Sequence, residues 1–151
     1  NGKGGSPIQN QIQRKIKKTK ITAFKITDKI DSGPICMKSN LKLDDNAFEI
    51  YKRMEKVSIN MIKKIVKMKK ILFKKQIGKA IFFKRRTPKE SNLKLNNFSS
   101  INEFYDFIRM LDAPKYPKAN LKLKKFNIEF FGAKIKNKSI FTSARIYGNK
   151  K

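Results

Sequence analysis

The sequence predicts an α/β fold that ends in a small unit made of β-strands alone. The clearest signal is residues 43–72, where apolar side chains recur at helical spacing behind a cluster of acidic and amide residues. Segments rich in β-branched residues, with alternating apolar and polar positions, flank this helix. The predicted order is therefore helix, β-hairpin, long helix, strand, helix, and then strands only.

The opening stretch "GKGGSPIQN" predicts a glycine loop that leads into the first helix. Ser6 is the expected N-cap, Pro7 the first helical residue, and Gln9 the partner in a capping box. The predicted buried face consists of Ile8, Ile12 and Ile16. The loop is either a flexible connection or a place where exposed amides meet an anion or a carbonyl group, and alone the pattern favours the flexible connection.

Two predicted strands, "TKITAFKIT" and "PICMKSNLKL", are joined by the turn "DKIDSG". Asp31 and Gly33 are ordinary turn residues. However, the chain holds only 11 acidic residues against 38 Lys and Arg. An acid placed against the local composition is a candidate for a chemical role.

The second half of the chain predicts a strand over residues 80–83, the turn "RRTP", and a helix whose capping box is Ser100 and Glu103. Arg109 on that helix is expected to tie the helix to the rest of the domain. Residues from Asn120 onward predict strands, in a tail too short for a complete five-stranded barrel. The apolar stripe of the long central helix is expected to pack in the core; its members are Ala47, Ile50, Tyr51, Met54, Met61, Ile62, Ile65 and Val66.

Composition restricts the classes of protein that the chain can represent. The net charge of +27 is typical of proteins that bind nucleic acid, anionic lipid or small anions. Because the lysines run from end to end, a biased composition on a solvated surface is the favoured explanation. With one cysteine and no histidine, a disulfide framework and most zinc sites are excluded. No apolar stretch approaches a membrane helix, so a cytoplasmic protein is expected.

Three motifs stand in a fixed order: "GKGGSP", "TAFKITDKIDSGPI", and "RRTP" followed by "FIRMLDAPKYPKA". Together they resemble the folate-dependent formyltransferases, the family of methionyl-tRNA formyltransferase and of enzymes that formylate amino sugars on nucleotide sugars. The resemblance implies the second half of a Rossmann-like formyltransferase domain, followed by a helix and a small β appendage. It divides the chain into residues 1–84, 85–118 and 119–151.

The resemblance also implies a reaction and a site. The donor would be 10-formyltetrahydrofolate, the acceptor a primary amine, and Asp31 the catalytic aspartate, beside an Asn-x-His motif that this chain lacks. Gly4, Gly5, Ser6 and Pro7 would shape the acceptor entrance. Arg85 and Arg86 would bind a phosphate or carboxylate of the acceptor. No metal is implied, and the chain alone is expected to be an inactive fragment.

Two questions stay open at the level of sequence. The short tail favours an amino-sugar nucleotide as the acceptor, while methionyl-tRNA is the other candidate. A basic RNA-binding protein without enzymatic activity is the alternative from a different class. It would need exposed aromatic residues among the cations, but Phe126, Ile128 and Phe130 alternate as on a buried face. The oligomeric state is not indicated.

Overall fold

A computed structural model describes residues 2–148 of the chain. Its helices are α1 (Pro7–Gln13), α2 (Ala47–Val66) and α3 (Ile101–Leu111). Its strands are β1 (Gly2–Gly4), β2 (Lys18–Phe24), β3 (Ile35–Lys42), β4 (Ile81–Phe83), β5 (Ala119–Lys122), β6 (Phe126–Lys136) and β7 (Ser139–Gly148). Two short 3-10 helices, Pro88–Ser91 and Leu93–Leu95, connect β4 with α3. This order confirms the predicted α/β fold with its C-terminal β unit.

The strands form three small sheets within the described residues. β1 and β4 pair in parallel, and β2 and β3 form an antiparallel hairpin from Lys18 opposite Lys42 to Phe24 opposite Ile35. β5, β6 and β7 form an antiparallel sheet with β6 in the middle. The hairpin places its connecting turn, which contains Asp31, at the end nearest β1.

One core joins the two halves of the chain, and α3 lies in its middle. The buried cluster is made of Ile8, Ile12, Leu41, Leu43, Ile50, Phe107, Ile108, Met110, Leu111 and Ala119. Phe130 and Ala133 of β6 pack against it from the C-terminal sheet. The hydrophobic stripe of α3 therefore contacts α1 on one side and the last sheet on the other. Within residues 2–148, no helix is both long and apolar enough to cross a membrane.

α1 begins at Pro7 with Ser6 at the N-cap position, as predicted, but the predicted capping box does not form. Ser6 has a left-handed backbone (φ 45°, ψ 51°), and its side chain makes no capping hydrogen bond. Gln9 is buried and bonds to Tyr51 and Met110, so it cannot serve a capping box. The helix also ends at Gln13, which leaves Ile16 outside it and 38% exposed. The two hydrogen bonds that Gln9 makes when it is buried between α2 and α3 outweigh the local preference for a capping box.

The stripe of α2 is buried in places as far as Met61, but its members beyond Met61 are not buried. Asn46, one of the acidic and amide residues predicted to cap the helix, does so, since its side chain accepts from the Glu49 amide at 3.0 Å. Ala47 and Ile50 are fully buried, whereas Ile62 is 59% and Val66 78% exposed. The prediction that the whole stripe packs in the core is therefore wrong for the last turns of the helix.

Arg109 ties α3 to the β3–α2 connection, as predicted. Its Nη1 donates to the carbonyl oxygens of Leu43 (2.7 Å) and Asp45 (2.6 Å), and its Nε donates to Asp106 at 2.6 Å. The side chain is only 11% exposed. Its planar, fixed donors thus satisfy two otherwise open carbonyl groups beside the core.

Candidate functional site

The glycine segment is a packed strand end. Gly2–Gly4 runs parallel to β4, and the Gly5 amide donates to the Phe83 carbonyl oxygen at 2.9 Å. A Cβ atom on Gly5 would lie 2.5 Å from the Arg85 Cα atom, so only glycine allows this approach. The pairing of this segment with β4 contradicts the interpretation of the glycine loop as a flexible connection. The Gly4 and Gly5 amides also have protein partners already.

Asp31 lies directly against this segment. The Gly4 amide donates to Asp31 Oδ2 at 3.1 Å, which brings together two residues that the sequence analysis singled out. Asp31 has a left-handed backbone (φ 52°), a conformation that Asp tolerates better than most residues. Its Oδ1 makes no hydrogen bond with any residue in the described range 2–148. One carboxylate oxygen is therefore held and the other is open.

Contacts from far along the chain hold the turn that carries Asp31. Gln76 Nε2 donates to the carbonyl oxygens of Asp31 (3.0 Å) and Gly33 (2.7 Å). Gly33 itself packs so closely that a Cβ atom would lie 1.6 Å from the Lys25 carbonyl oxygen. The Lys25 amide in turn donates to Pro34 at 2.9 Å. The turn is thus fixed from both sides.

Asp31 opens onto a cavity of about 520 Å³ between α1, the hairpin and the glycine segment. Lys3, Lys20 and Lys38 line it together with Gln11 and Asp31. Gln11 Oε1 is buried and has no hydrogen-bond partner among the described residues. Such an unpaired acceptor suits a ligand that offers an N–H or O–H group. The cavity therefore combines an open carboxylate, cations and a free amide oxygen.

The two arginines of the "RRTP" turn have different surroundings. Arg86 Nη1 donates to Gln13 at 3.1 Å and Nη2 to the Glu90 carbonyl oxygen at 2.7 Å, and its guanidinium lies 5.9 Å from the Phe107 ring. The Arg85 side chain is exposed and makes no hydrogen bond within the described part of the chain. Arg86 is thus engaged by the protein, while Arg85 presents its cation to solvent.

The remaining predicted residues, Ser6 and Pro7, lie where the glycine segment meets this turn. Ser6 Oγ accepts from the Arg86 amide at 3.2 Å. Asn10 Nδ2, which the sequence analysis did not single out, donates to the carbonyl oxygens of Gly5 (3.2 Å), Ser6 (3.0 Å) and Lys84 (3.2 Å). Asn10 and Gln76 therefore hold the site together, and no local sequence signal marks them because their partners include residues more than 40 positions away.

Comparisons with known proteins were made on sequence and on structure. The family model described as methionyl-tRNA formyltransferase, C-terminal domain, matches residues 88–147. A methionyl-tRNA formyltransferase from Kosmotoga olearia is 30% identical over 139 residues, which cover 88% of this chain and 43% of that protein. This chain thus spans about two fifths of the length of that relative.

Solved structures agree with the sequence matches. Methionyl-tRNA formyltransferase from Clostridium thermocellum superposes with a TM-score of 0.90 at 42% identity, over 98% of this chain and 64% of that one. WlaRD, a sugar 3N-formyltransferase, gives a TM-score of 0.56 at 16% identity, over 85% of this chain and 57% of that one, which shows the fold alone. By sequence and by fold, the chain is similar to the formyltransferases, and its residues 88–147 match the C-terminal domain of methionyl-tRNA formyltransferase.

Proposed function

We propose that the protein carries the Asp31 half of a site that transfers a formyl group from 10-formyltetrahydrofolate to a primary amine. In that reaction the amine attacks the formyl carbon, negative charge develops on the formyl oxygen, and the attacking nitrogen loses a proton. The observation that carries the proposal is the Asp31 carboxylate, held by the Gly4 amide at 3.1 Å and open on its other side to the cavity.

Asp31 needs a partner to do this chemistry. A carboxylate orients an imidazole and stabilises its protonated form, but this chain contains no histidine. We therefore propose that an Asn-x-His segment before residue 1 supplies the imidazole, and that residues 1–151 alone are inactive. The match of residues 88–147 to the family's C-terminal domain supports this proposal, since it assigns the chain to the C-terminal part of its relatives.

The first sheet supports the same proposal. β1 and β4 form a parallel sheet of two strands of three residues each, whereas parallel sheets are normally larger and covered on both faces. Phe82 of β4 is 71% exposed, and Ile62 and Val66 of α2 are also exposed. Further strands and helices from a preceding segment would cover these side chains.

The donor and acceptor follow from relatives and stay proposals for this chain. WlaRD is known with dTDP and 5-N-formyl-THF, which supports a folate donor and a nucleotide-linked acceptor. The matches at 30% and 42% identity are both methionyl-tRNA formyltransferases, which supports an aminoacyl-tRNA acceptor instead of the amino sugar that the short tail favours. The shared element is an amine carried on a nucleotide.

The remaining predictions concern the domain boundaries, the acceptor side of the site and the RNA-binding alternative. The domain divisions after residues 84 and 118, and the acceptor-binding roles of Gly4, Gly5, Ser6, Pro7, Arg85 and Arg86, stay predictions. The comparisons give no support to an RNA-binding protein without enzymatic activity. Phe130, one of the aromatic residues considered for that alternative, packs against the core and is not available for base stacking.

A reconstituted enzyme tests the proposed function. The chain is fused behind the preceding segment of the Clostridium thermocellum relative, and formyl transfer from 10-formyltetrahydrofolate to methionyl-tRNA and to a dTDP-amino sugar is measured. We expect turnover by the fusion and none by residues 1–151. Asp31→Asn should lower kcat/KM by about 10²–10⁴-fold.

Asp28→Asn is the matched control for that experiment, because Asp28 is an exposed acid three positions away that makes no hydrogen bond within residues 2–148. It should leave turnover within about twofold. A folded fusion that formylates neither acceptor, or an Asp31→Asn enzyme as fast as the Asp28→Asn enzyme, would contradict the proposed function.

A further inference from the structure

The connection between α2 and β4 contains a segment, residues 67–79, in which lysines alternate with large apolar residues. Its sequence is KMKKILFKKQIGK, which consists of six lysines, five large apolar residues, one glutamine and one glycine. The surrounding residues 56–89 contain no Asp or Glu, although they hold thirteen of the 38 Lys and Arg residues of the chain. Positive charge is therefore concentrated here without acids to offset it. We call residues 67–79 the basic-apolar segment.

The apolar side chains of the basic-apolar segment are exposed together with its lysines. Leu72 is 68% exposed, Ile77 87% and Phe73 46%. Met68 and Ile71 are exposed as well, and Gln76 alone in the segment is half-buried. A solvated surface accounts for exposed lysines, but a cluster of exposed large apolar side chains marks an interaction surface.

The fold holds the backbone of this segment against the β2–β3 hairpin. Ile35 and Lys74 exchange two backbone hydrogen bonds, of 2.7 and 2.8 Å. Gln76 Nε2 donates to the carbonyl oxygens of Asp31 and Gly33. The exposed side chains on either side, Leu72, Phe73 and Ile77 among them, are therefore presented from a fixed backbone and not from a free loop.

The lysines of the segment have no acidic partners among residues 2–148. None of the six takes part in an ion pair with a described residue, whereas Lys15, Lys52 and Lys118 elsewhere in the chain do. The six lysines are Lys67, Lys69, Lys70, Lys74, Lys75 and Lys79. Unpaired ammonium groups thus surround the five apolar side chains, and together they complement a surface that carries negative charge.

An anionic lipid bilayer offers a counterpart for both kinds of side chain. Its headgroups attract lysines, and the boundary between headgroups and acyl chains takes up exposed apolar side chains. A strand of RNA also offers phosphates, but it stacks its bases on aromatic rings. Phe73 is the one aromatic residue of the segment, and the other four apolar residues have no ring. The composition therefore favours lipid over RNA.

We propose that the basic-apolar segment docks the protein on the surface of an anionic lipid bilayer. The lysines bind the headgroup phosphates, and Leu72, Phe73 and Ile77 enter the boundary with the acyl chains, about 5–10 Å deep. This docking does not depend on formyl transfer. It also does not use Ile62 and Val66, which a preceding segment of the protein would cover.

Co-sedimentation of residues 1–151 with lipid vesicles tests the proposal. Vesicles of phosphatidylglycerol and phosphatidylcholine should bind the protein at least about tenfold more tightly than vesicles of phosphatidylcholine alone. Replacing Lys69, Lys70 and Lys75 together by Gln should weaken binding to the anionic vesicles by about 10- to 100-fold. Leu72→Gln should weaken it by about 3- to 30-fold, because it removes an apolar side chain that enters the bilayer. Binding no stronger to the anionic vesicles than to phosphatidylcholine would overturn the docking.

The matched controls lie on the C-terminal sheet. Ile146→Gln replaces an apolar side chain that is 65% exposed, close to the 68% of Leu72. Replacing Lys134, Lys136 and Lys138 together by Gln removes the same charge from three exposed positions. Both control proteins should bind within about threefold of the unmodified protein. Equal losses in the two triple variants, or in Leu72→Gln and Ile146→Gln, would refute the assignment to this segment. Circular dichroism of each variant confirms that a loss of affinity is not a loss of fold.

Tryptophan fluorescence tests whether the segment enters the bilayer, because the chain contains no tryptophan of its own. The emission of Leu72→Trp should move to shorter wavelength when anionic vesicles are added, and lipids with brominated acyl chains should quench it. Ile146→Trp is the control and should show neither change. An emission of Leu72→Trp that stays constant while the protein binds would exclude insertion and contradict the proposal.

RNA is the alternative partner, and poly(U) tests it. If poly(U) binds, loses affinity in the Lys69, Lys70 and Lys75 variant, and the anionic vesicles do not bind, the partner is RNA and the bilayer is excluded. If Leu72→Gln weakens binding to vesicles but not to poly(U), the apolar side chains serve the lipid surface, as proposed.

The fusion with the preceding segment of the Clostridium thermocellum relative separates this proposal from the proposed function. The fusion should bind anionic vesicles within about threefold of residues 1–151. A folded fusion that no longer binds vesicles would show that the protein itself covers the basic-apolar segment, and would refute the docking. Formyl transfer by such a fusion would retain the proposed function, whereas vesicle binding without formyl transfer would retain the docking alone.

Discussion

Gly33 is the residue on which the position of Asp31 depends most directly. In Gly33→Ala the new Cβ atom would lie 1.6 Å from the Lys25 carbonyl oxygen, so the turn must move. We expect the free energy of unfolding to fall by more than about 2 kcal/mol, and the Gly4 amide to lose its bond to Asp31. Urea denaturation and the Gly4 amide resonance measure the two effects. Gly148→Ala is the control, because its new Cβ atom would meet no atom within 4 Å. It should change the free energy of unfolding by less than about 0.5 kcal/mol. Equal losses of stability in the two variants would contradict the close packing at Gly33.

Arg109 provides a second prediction at the same scale. Arg109→Lys keeps the charge but cannot reach Asp106, Leu43 and Asp45 together, which leaves carbonyl groups beside the core without donors. The free energy of unfolding should fall by about 2–4 kcal/mol in urea denaturation. Arg145→Lys is the control, because Arg145 is 68% exposed in its pair with Glu129. Arg145→Lys should lower the free energy of unfolding by less than about 1 kcal/mol. If it lowered stability as much as Arg109→Lys, the hydrogen bonds of Arg109 would not explain the loss.

Individual residues differ in how far the sequence could identify them. Asp31 was identified because its turn carries acids against a basic background and because the resemblance implies a catalytic aspartate at this position. Arg109 was predicted to tie its helix to the rest of the domain. Gln76 and Asn10 were missed, since their role depends on partners 43 or more positions away. Arg85 and Arg86 were given the same ligand role, yet the Arg86 guanidinium bonds within the protein while the Arg85 side chain is exposed. Only the fold distinguishes two adjacent arginines.

At the scale of elements, the Glu103 carboxylate in the first turn of α3 makes the helix sensitive to pH. The hydrogen bond from Lys15, followed by that from the Ser99 amide, lowers the pKa of Glu103 from 4.5 to about 2. A lowered folded-state pKa adds stability above pH 4.5 that is lost as the pH falls toward 2. We therefore expect the urea midpoint to fall over this window, and to fall less in Glu103→Gln. Glu55→Gln, on the exposed face of α2, is the control, and its urea midpoint should change with pH as in the unmodified protein. Equal pH profiles for all three proteins would show that Glu103 does not cause the loss of stability at low pH.

Elements were predicted well where the local pattern and the core agreed. Both strands of the hairpin, the Asn46 cap and the start of α3 follow from apolar spacing and cap residues, which tertiary packing reinforces. The start of α1 at Pro7 was predicted correctly, but the capping box was wrong because the Gln9 side chain bonds to Tyr51 and Met110 in the core instead of turning back to the helix end. A capping box is a weak local preference, and two buried hydrogen bonds outweigh it.

At the scale of the whole molecule, apolar periodicity predicted which side chains could be buried but not which ones this chain buries. Leu41, Ile50 and Leu111 are buried as their spacing predicts, since α3 and the hairpin supply partners. Ile62 and Val66 follow the same spacing and are exposed, because no described element packs against them. We expect a surface outside the described residues to cover these exposed apolar side chains.

That surface gives the last prediction. If a preceding segment extends the β1–β4 sheet, Ile62, Val66 and Phe82 should become protected in the fusion with the preceding segment of the Clostridium thermocellum relative. Hydroxyl-radical footprinting compares the oxidation of each side chain in residues 1–151 and in the fusion, where we expect at least about a threefold decrease. Phe141 on β7 is the matched control: at 61% exposed it resembles Ile62 at 59%, but it lies on the C-terminal sheet and should be oxidised equally in both proteins. Unchanged oxidation of Ile62, Val66 and Phe82 would show that the fused segment does not cover this face. Protection of these three side chains but not of Phe141 would show that the face lies in the interior of the catalytic domain.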